Sequence, residues 1–164
     1  MKYLQALEIA EGMLDIIKPH CFRAEIAGSI RREKPELNDI EIVAIPKPYN
    51  TGLFENGLAM VINRYRKVNG EMDFEKCKYT QRMLSSGIKL DLFFATQDNW
   101  GLIFAIRTGS AEYSHKVLAS GWVKKGYHSE TGQLVRYGIV HEIIKVPEET
   151  DLFKLIGIPY IEPK

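Results

Sequence analysis

Three acidic side chains in two strand-like segments could perform metal-ion chemistry. Asp39 and Glu41 alternate with isoleucines in the segment DIEIVAI, and Asp91 is the lone acid of the apolar segment KLDLFF. Because side chains alternate across a strand, Asp39 and Glu41 should share one face. If the two strands adjoin, the three carboxylates could hold Mg²⁺. A pair of such ions can bind both the attacking and the leaving oxygen of an in-line displacement.

These acids also allow a plainer interpretation. Asp and Glu at alternate positions are common on the solvent face of an edge strand, and Asp91 could be another residue of this kind. The spacing of the acids alone does not separate a metal site from a solvated strand face.

A candidate phosphate-binding segment precedes the paired acids. Gly28 permits a tight turn after a short strand, and Ser29 offers a hydroxyl and an amide where a helix could start, a position that favours anions. Arg31 and Arg32 follow, and a guanidinium can bind a phosphate through two hydrogen bonds. An ordinary turn and a solvated charged face would explain each feature singly. Their order before the acids indicates a site for a nucleoside triphosphate and its metal.

The elements that must position these residues alternate between helices and strands. Hydrophobic periodicity and capping signals predict helices at 2–18, 53–66, 98–107, 110–125 and 149–156, with Asp98 as the N-cap of the third. Strands are predicted at 23–27, 39–45, 76–84, 88–94, 133–137 and 142–146, and a turn at 85–87 joins two of them in a hairpin. The polar stretch 69–73 is predicted as a loop. This order predicts an α+β fold with helices on a mostly antiparallel or mixed sheet.

Length and composition are those of a soluble globular protein. The 164 residues suit one domain, or one domain with a small appendage, and 45% are hydrophobic and 26% charged. No apolar run approaches the roughly 20 residues that span a bilayer, and the N-terminus lacks signal-peptide features, so we expect a cytoplasmic protein without a membrane partner. The net charge of +1 neither requires nor excludes a nucleic acid. Cys21 and Cys77 are expected to be reduced packing residues rather than a disulfide.

Four segments resemble motifs of the nucleotidyltransferase superfamily and, more closely, of the X family of DNA polymerases. They are AGSIRREKPELNDIEIV, GIKLDLFFA, IRTGSAEYSHK and DLFKLIGIPYIEPK. In order, they are similar to the Gly-Ser and paired-acid motif, the third-carboxylate strand, the Thr-Gly-Ser segment with its following helix, and the closing Leu-Gly-Leu-Pro-Tyr-Ile segment. The resemblance implies a nucleotidyltransferase palm at 1–107, with helices on one side of a mixed or antiparallel sheet, and a small α+β thumb at 108–164.

The resemblance also implies roles for individual residues. Asp39 and Glu41 would bind both of two Mg²⁺ ions, which Mn²⁺ could replace, and Asp91 would bind the ion that activates the primer 3′-hydroxyl. Ser29 and Arg32 would hold the β- and γ-phosphates. The full set of nucleotide-binding residues would be Gly28, Ser29, Arg32, Thr108, Gly109, Ser110 and Ser114.

The implied activity is transfer of dNMP from a dNTP to a primer 3′-hydroxyl on gapped or nicked DNA, with release of pyrophosphate, by a monomer active in DNA repair. Three departures from the family pattern bear on rate, sugar choice and fidelity. Glu41 stands where the family usually has Asp, Ile106 and Arg107 replace an aromatic pair, and Leu118 replaces an arginine that often contacts the template base pair.

Two other functions stay open. The same chemistry could act on a tRNA, a protein or a small molecule, which the short thumb and the missing N-terminal DNA anchors of the family favour. Alternatively, the chain could be a nucleotide- or DNA-binding module that has lost catalysis. The glutamate at position 41 keeps this second alternative open.

Overall fold

The chain folds into two compact units, which a computed structural model describes over residues 1–48, 57–73 and 76–163. The units are Met1–Ala95 and Thr96–Pro163. The sequence placed the division after Arg107, which lies inside a helix of the second unit, because that helix contributes Leu102 and Ala105 to the core of this unit. In the described part of the chain, no helix is both long and apolar enough to cross a membrane.

Besides the 3₁₀-helical turn Lys18–His20, the first unit combines three α-helices with a mixed sheet among its described residues. Its elements are α1 (Tyr3–Ile17), β1 (Cys21–Ile26), α2 (Gly28–Arg31), β2 (Asp39–Pro46), α3 (Gly57–Ile62), β3 (Arg66–Gly70), β4 (Tyr79–Met83) and β5 (Lys89–Phe94). The strands lie in the order β1-β2-β5-β4-β3. β2 and β5 are parallel, and the other neighbouring pairs are antiparallel. The prediction of an α+β fold with a mixed sheet is therefore confirmed.

The apolar face of this sheet forms the core of the first unit. Ile40 and Ile42 of β2 and Leu90 and Leu92 of β5 are fully buried there. α1 supplies most of the apolar stripe predicted from its helical spacing, but Leu4 of that stripe is 75% exposed; α3 packs into the same core. Since neighbouring side chains on a strand point in opposite directions, the acids of β2 and β5 lie on the other face of the sheet.

The predicted hairpin is confirmed, but the strand beside it was missed. β4 pairs antiparallel with β5, and Gly87 turns the chain between them with a φ of +82°. β3 pairs with β4 at the edge of the sheet, where the sequence predicted the end of a helix and a loop. The prediction failed because β3 has a single hydrophobic side chain, Val68, and is mostly exposed, so it carries no alternating apolar signal. Residues 53–56 of the predicted second helix lie outside the described residues.

The second unit packs helices around a small antiparallel sheet. Its elements are α4 (Trp100–Thr108), α5 (Ala111–Tyr113), a π-helical segment (Ser114–Ala119), α6 (Ser120–Lys124), β6 (His128–Glu130), β7 (Gln133–Arg136), β8 (Glu142–Ile144) and α7 (Glu149–Ile156). β7 lies between β6 and β8. The bounds predicted for α7 are confirmed, and Gly157 ends this helix with a φ of +78°.

The start of α4 differs from the prediction by one residue. Asn99, not Asp98, occupies the N-cap position, and its side chain makes no capping hydrogen bond within the helix. Instead, Oδ1 of Asn99 accepts a hydrogen bond from the backbone N–H of Thr96 (2.7 Å), and Nδ2 donates to the carbonyl of Gly132 (2.9 Å). The carboxylate of Asp98 forms an ion pair with Lys145, at 3.2 Å, which lies outside the helix.

Candidate functional site

The parallel pairing of β2 with β5 brings the predicted acids onto one surface, here called the carboxylate face and defined by Asp39, Glu41 and Asp91. Glu41 lies directly opposite Asp91 in the strand register, and Asp39 lies opposite Lys89. The predicted metal site required these two strands to be neighbours, and β2 and β5 are neighbours in the sheet. The edge-strand interpretation does not hold, because β2 lies between β1 and β5 and Asp91 is only 8% exposed.

The carboxylate face brings acidic side chains together in partly buried surroundings. Burial raises the pKa of Asp39 above its usual range, and the nearby charge of Asp91 raises it further. The positive charges of Lys89 and Arg32 act in the opposite direction but do not cancel the rise in this pKa. A bound cation would relieve the repulsion between these acids.

Gly28 holds the Gly-Ser turn directly against Glu41. A β-carbon at position 28 would lie 1.6 Å from Oε2 of Glu41 and 2.5 Å from its Cδ, and Gly28 has a φ of +61°. The backbone N–H of Ala27 donates to the carbonyl of Glu41 at 2.8 Å, which ties the turn to β2. The turn and the acidic strand therefore form one structural unit, in which only glycine fits at position 28.

Ser29 and Arg32 lie at the two ends of a single helical turn next to this contact. Ser29 is in the first turn of α2, and Arg32 follows its last residue, with its backbone N–H bonded to the carbonyl of Gly28 at 3.2 Å. Residues three apart on a helix are neighbours, so both side chains emerge on the same side of this turn. The effect of Arg32 on the pKa of Asp39 shows that its guanidinium acts on the carboxylate face.

Two residues of β4 that the sequence interpretation missed contact Asp91. The hydroxyl of Tyr79 and the Nε2 amide of Gln81 each donate a hydrogen bond to Oδ1 of Asp91, both at 2.7 Å. Alternation along the predicted hairpin could have placed all three side chains on one face. Choosing Tyr79 and Gln81 as its partners requires the strand register, which pairs Gln81 with Asp91.

The chemistry of these side chains fits Mg²⁺ or Mn²⁺. Carboxylate oxygens are preferred ligands of such hard cations, and the mutual repulsion of Asp39 and Asp91 favours a positive ion. Over the described ranges, no three His, Cys, Asp or Glu side chains are already grouped to hold a metal. Mg²⁺ commonly uses one or two carboxylates together with waters and substrate phosphates, so a preformed group of three is not required.

The remaining predicted nucleotide-binding residues cluster in the second unit, between α4 and the π-helical segment. Thr108 is buried at the end of α4, and Ser110 caps α5 by accepting a hydrogen bond from the backbone N–H of Tyr113 at 3.1 Å. The hydroxyl of Ser114 donates to a backbone carbonyl of α4 at 2.9 Å. A β-carbon at Gly109 would lie 2.6 Å from this hydroxyl oxygen. The two serine hydroxyls thus hold the helix junction together.

Two sequence comparisons with known proteins identify no relative. No protein-family model matches the chain, and no curated protein sequence is significantly similar to it. Its function is therefore inferred from the motifs and from the geometry of the carboxylate face.

Proposed function

We propose that the protein catalyses metal-dependent nucleotidyl transfer, adding dNMP to the 3′-hydroxyl of a DNA primer at a gap or nick and releasing pyrophosphate. The observation that carries the proposal is the pairing of β2 with β5, which sets Glu41 beside Asp91 on the face that also bears Asp39. The Gly-Ser turn, which contacts Glu41, carries the proposed phosphate-binding residues of the same site. The order of these parts resembles that of the X-family polymerases.

In the proposed reaction, the side chains of the first unit bind the triphosphate and hold the metal ions. The guanidinium of Arg32 and the hydroxyl of Ser29 donate hydrogen bonds to the β- and γ-phosphates. Asp39 and Glu41 would hold both ions, and Asp91 would hold the ion at the primer 3′-hydroxyl. Such ions, when bound, would supply acidification of that hydroxyl and neutralisation of the charge that develops on the phosphates. The missing side chain at Gly28 leaves room for Glu41 beside the turn.

Primer extension on DNA with a one-nucleotide gap tests this proposal. Each dNTP and each rNTP is supplied separately, with Mg²⁺ or with Mn²⁺, and both the extended primer and pyrophosphate are measured. We expect the primer to grow by one nucleotide when the dNTP matches the template. Failure to incorporate any nucleotide with either ion would contradict the proposed polymerase activity.

Variants of the acids test which residues hold the metal. Asp39→Asn and Asp91→Asn keep the shape of the side chain and remove its charge, and each should lower turnover by at least about 100-fold. The matched control is Asp15→Asn, the same change at an exposed position of α1, which should retain full activity. Full activity in Asp39→Asn and Asp91→Asn would rule out the metal assignment.

The same experiments separate the alternative functions. Pyrophosphate release with a tRNA, protein or small-molecule acceptor, but not with DNA, would assign the chemistry to another acceptor. The second alternative, a binding module that has lost catalysis, rests on the long side chain of Glu41, which contacts Gly28. Metal-dependent dNTP binding without any transfer product, in the wild type and in Glu41→Asp, would support that module.

A further inference from the structure

We infer that Tyr79 and Gln81 are positioning residues that fix the carboxylate of Asp91 for metal binding. This inference rests on the proposed function, because it concerns the acid assigned to the ion at the primer 3′-hydroxyl. Neither residue belongs to the motifs that carry the family resemblance.

The geometry places both donors on a single oxygen. Tyr79 and Gln81 lie two residues apart on β4, so their side chains share the carboxylate face, and both donate to Oδ1 of Asp91 at 2.7 Å. The ring of Tyr79 stacks on Phe93, its cross-strand partner, with centroids 5.0 Å apart and an interplanar angle of 25°. This stacking holds the tyrosine ring in place, and its hydroxyl is thereby directed at Asp91.

Two donors bound to one carboxylate oxygen of Asp91 fix the direction of its other oxygen. A carboxylate oxygen offers about two acceptor positions, so Tyr79 and Gln81 fill those of Oδ1. Rotation of the carboxylate would break both hydrogen bonds, and Oδ2 therefore keeps a defined direction for a cation. Both donors are neutral, so they orient the acid without cancelling the charge that attracts the metal.

A purely structural role for these hydrogen bonds gives a different experimental result. If these hydrogen bonds only satisfied the acceptors of a buried carboxylate, their removal would lower stability and leave metal affinity unchanged. If they position Asp91, their removal should weaken metal binding by about 10-fold or more in a protein that remains folded. Metal affinity is therefore the measurement that separates the two roles.

Tyr79→Phe and Gln81→Met provide the test. Tyr79→Phe removes only the hydroxyl and keeps the stacking on Phe93, whereas Gln81→Met removes the amide at similar volume. The matched control is Tyr137→Phe, which removes a hydroxyl bonded to Glu130 in the second unit. Mn²⁺ alone is titrated into each protein, and its dissociation constant is measured by water-proton relaxation enhancement below the melting temperature of every variant. We expect weaker Mn²⁺ binding in both test variants and no change in the control.

The outcomes distinguish this inference from the proposed function. If Asp91→Asn weakens Mn²⁺ binding but Tyr79→Phe and Gln81→Met do not, positioning is overturned and the metal site stands. If the wild type shows no saturable Mn²⁺ binding, positioning of Asp91 for metal binding is overturned, whereas primer extension on gapped DNA decides the proposed function separately. Positioning is also overturned if the loss of Mn²⁺ affinity is no larger than the loss that the unfolded fraction of the variant, seen by circular dichroism, would cause. The two test variants check each other if one folds poorly.

Discussion

Replacing Gly28 with alanine should destabilise the protein through two separable effects. The first is backbone strain, because Gly28 has a φ of +61°, a conformation that disfavours side chains. The second is a steric clash, because the new β-carbon would lie 1.6 Å from Oε2 of Glu41. The glutamate must then leave its place beside the turn.

The size of each effect can be estimated. A left-handed conformation costs a residue other than glycine roughly 1–2 kcal/mol. Moving the half-buried Glu41 side chain away from its rotamer adds about 0.5–1.5 kcal/mol. We therefore expect Gly28→Ala to lower the free energy of unfolding by about 1.5–3.5 kcal/mol. Urea unfolding followed by far-ultraviolet circular dichroism measures this difference.

The chain offers a matched control for the strain. Gly87 has a φ of +82°, but no atom lies within 4 Å of a β-carbon built there, so Gly87→Ala should show the strain without the clash. The clash itself is isolated by a double-mutant cycle with Glu41→Ala, in which the two changes together should cost about 0.5–1.5 kcal/mol less than their sum. Equal losses at the two glycines, or an additive cycle, would refute the contact between Gly28 and Glu41.

Three further predictions concern single groups. Asp39→Asn should raise the melting temperature at neutral pH in EDTA, because a folded pKa raised above the ordinary 3.8 makes ionisation of Asp39 destabilising. This gain should shrink as the pH falls through the raised pKa and vanish below 3.8. Burial raises the pKa of Cys21 to about 12, so Ellman's reagent should label the half-buried Cys77 first in the native protein. Ser110→Ala removes a helix cap and should lower the free energy of unfolding by about 1 kcal/mol in a urea titration.

Each of these predictions has a result that would contradict it. A melting temperature that falls in Asp39→Asn at neutral pH would mean that the carboxylate is stabilised rather than strained by its surroundings. Native-state labelling of Cys21 as fast as that of Cys77 would contradict its burial. A Ser110→Ala protein as stable as the wild type would show that the capping hydrogen bond contributes nothing.

The carboxylate face could be predicted from the sequence only up to the pairing of its strands. Alternation placed Asp39 and Glu41 on one face because each strand carries its own apolar pattern. Alternation does not say which strands are neighbours, so the position of Asp91 beside Glu41 depended on the sheet order. For the same reason, Tyr79 and Gln81 could not be predicted as partners of Asp91, because their contact with it depends on the register of β4 with β5.

Other features escaped prediction because they leave little local signal. β3 has only one hydrophobic side chain, Val68, so its residues resembled a loop, yet its backbone pairs with β4. The contact of Gly28 with Glu41 joins the two ends of one motif through space, and a Gly-Ser pair alone indicates only a turn. The ends of α7 were predictable because a glycine terminates it and its own apolar residues reach the core.

The parallel pairing of β2 with β5 also has a consequence for folding kinetics. Glu41 and Asp91 are fifty positions apart in the chain, and a parallel pair cannot form by closing a short hairpin. The contact is therefore of high contact order, and such contacts slow the search for the native topology. Its formation also brings like charges together, so acid or salt should speed this step by neutralising or screening them. The feature that assembles the carboxylate face thus also slows the folding of the first unit.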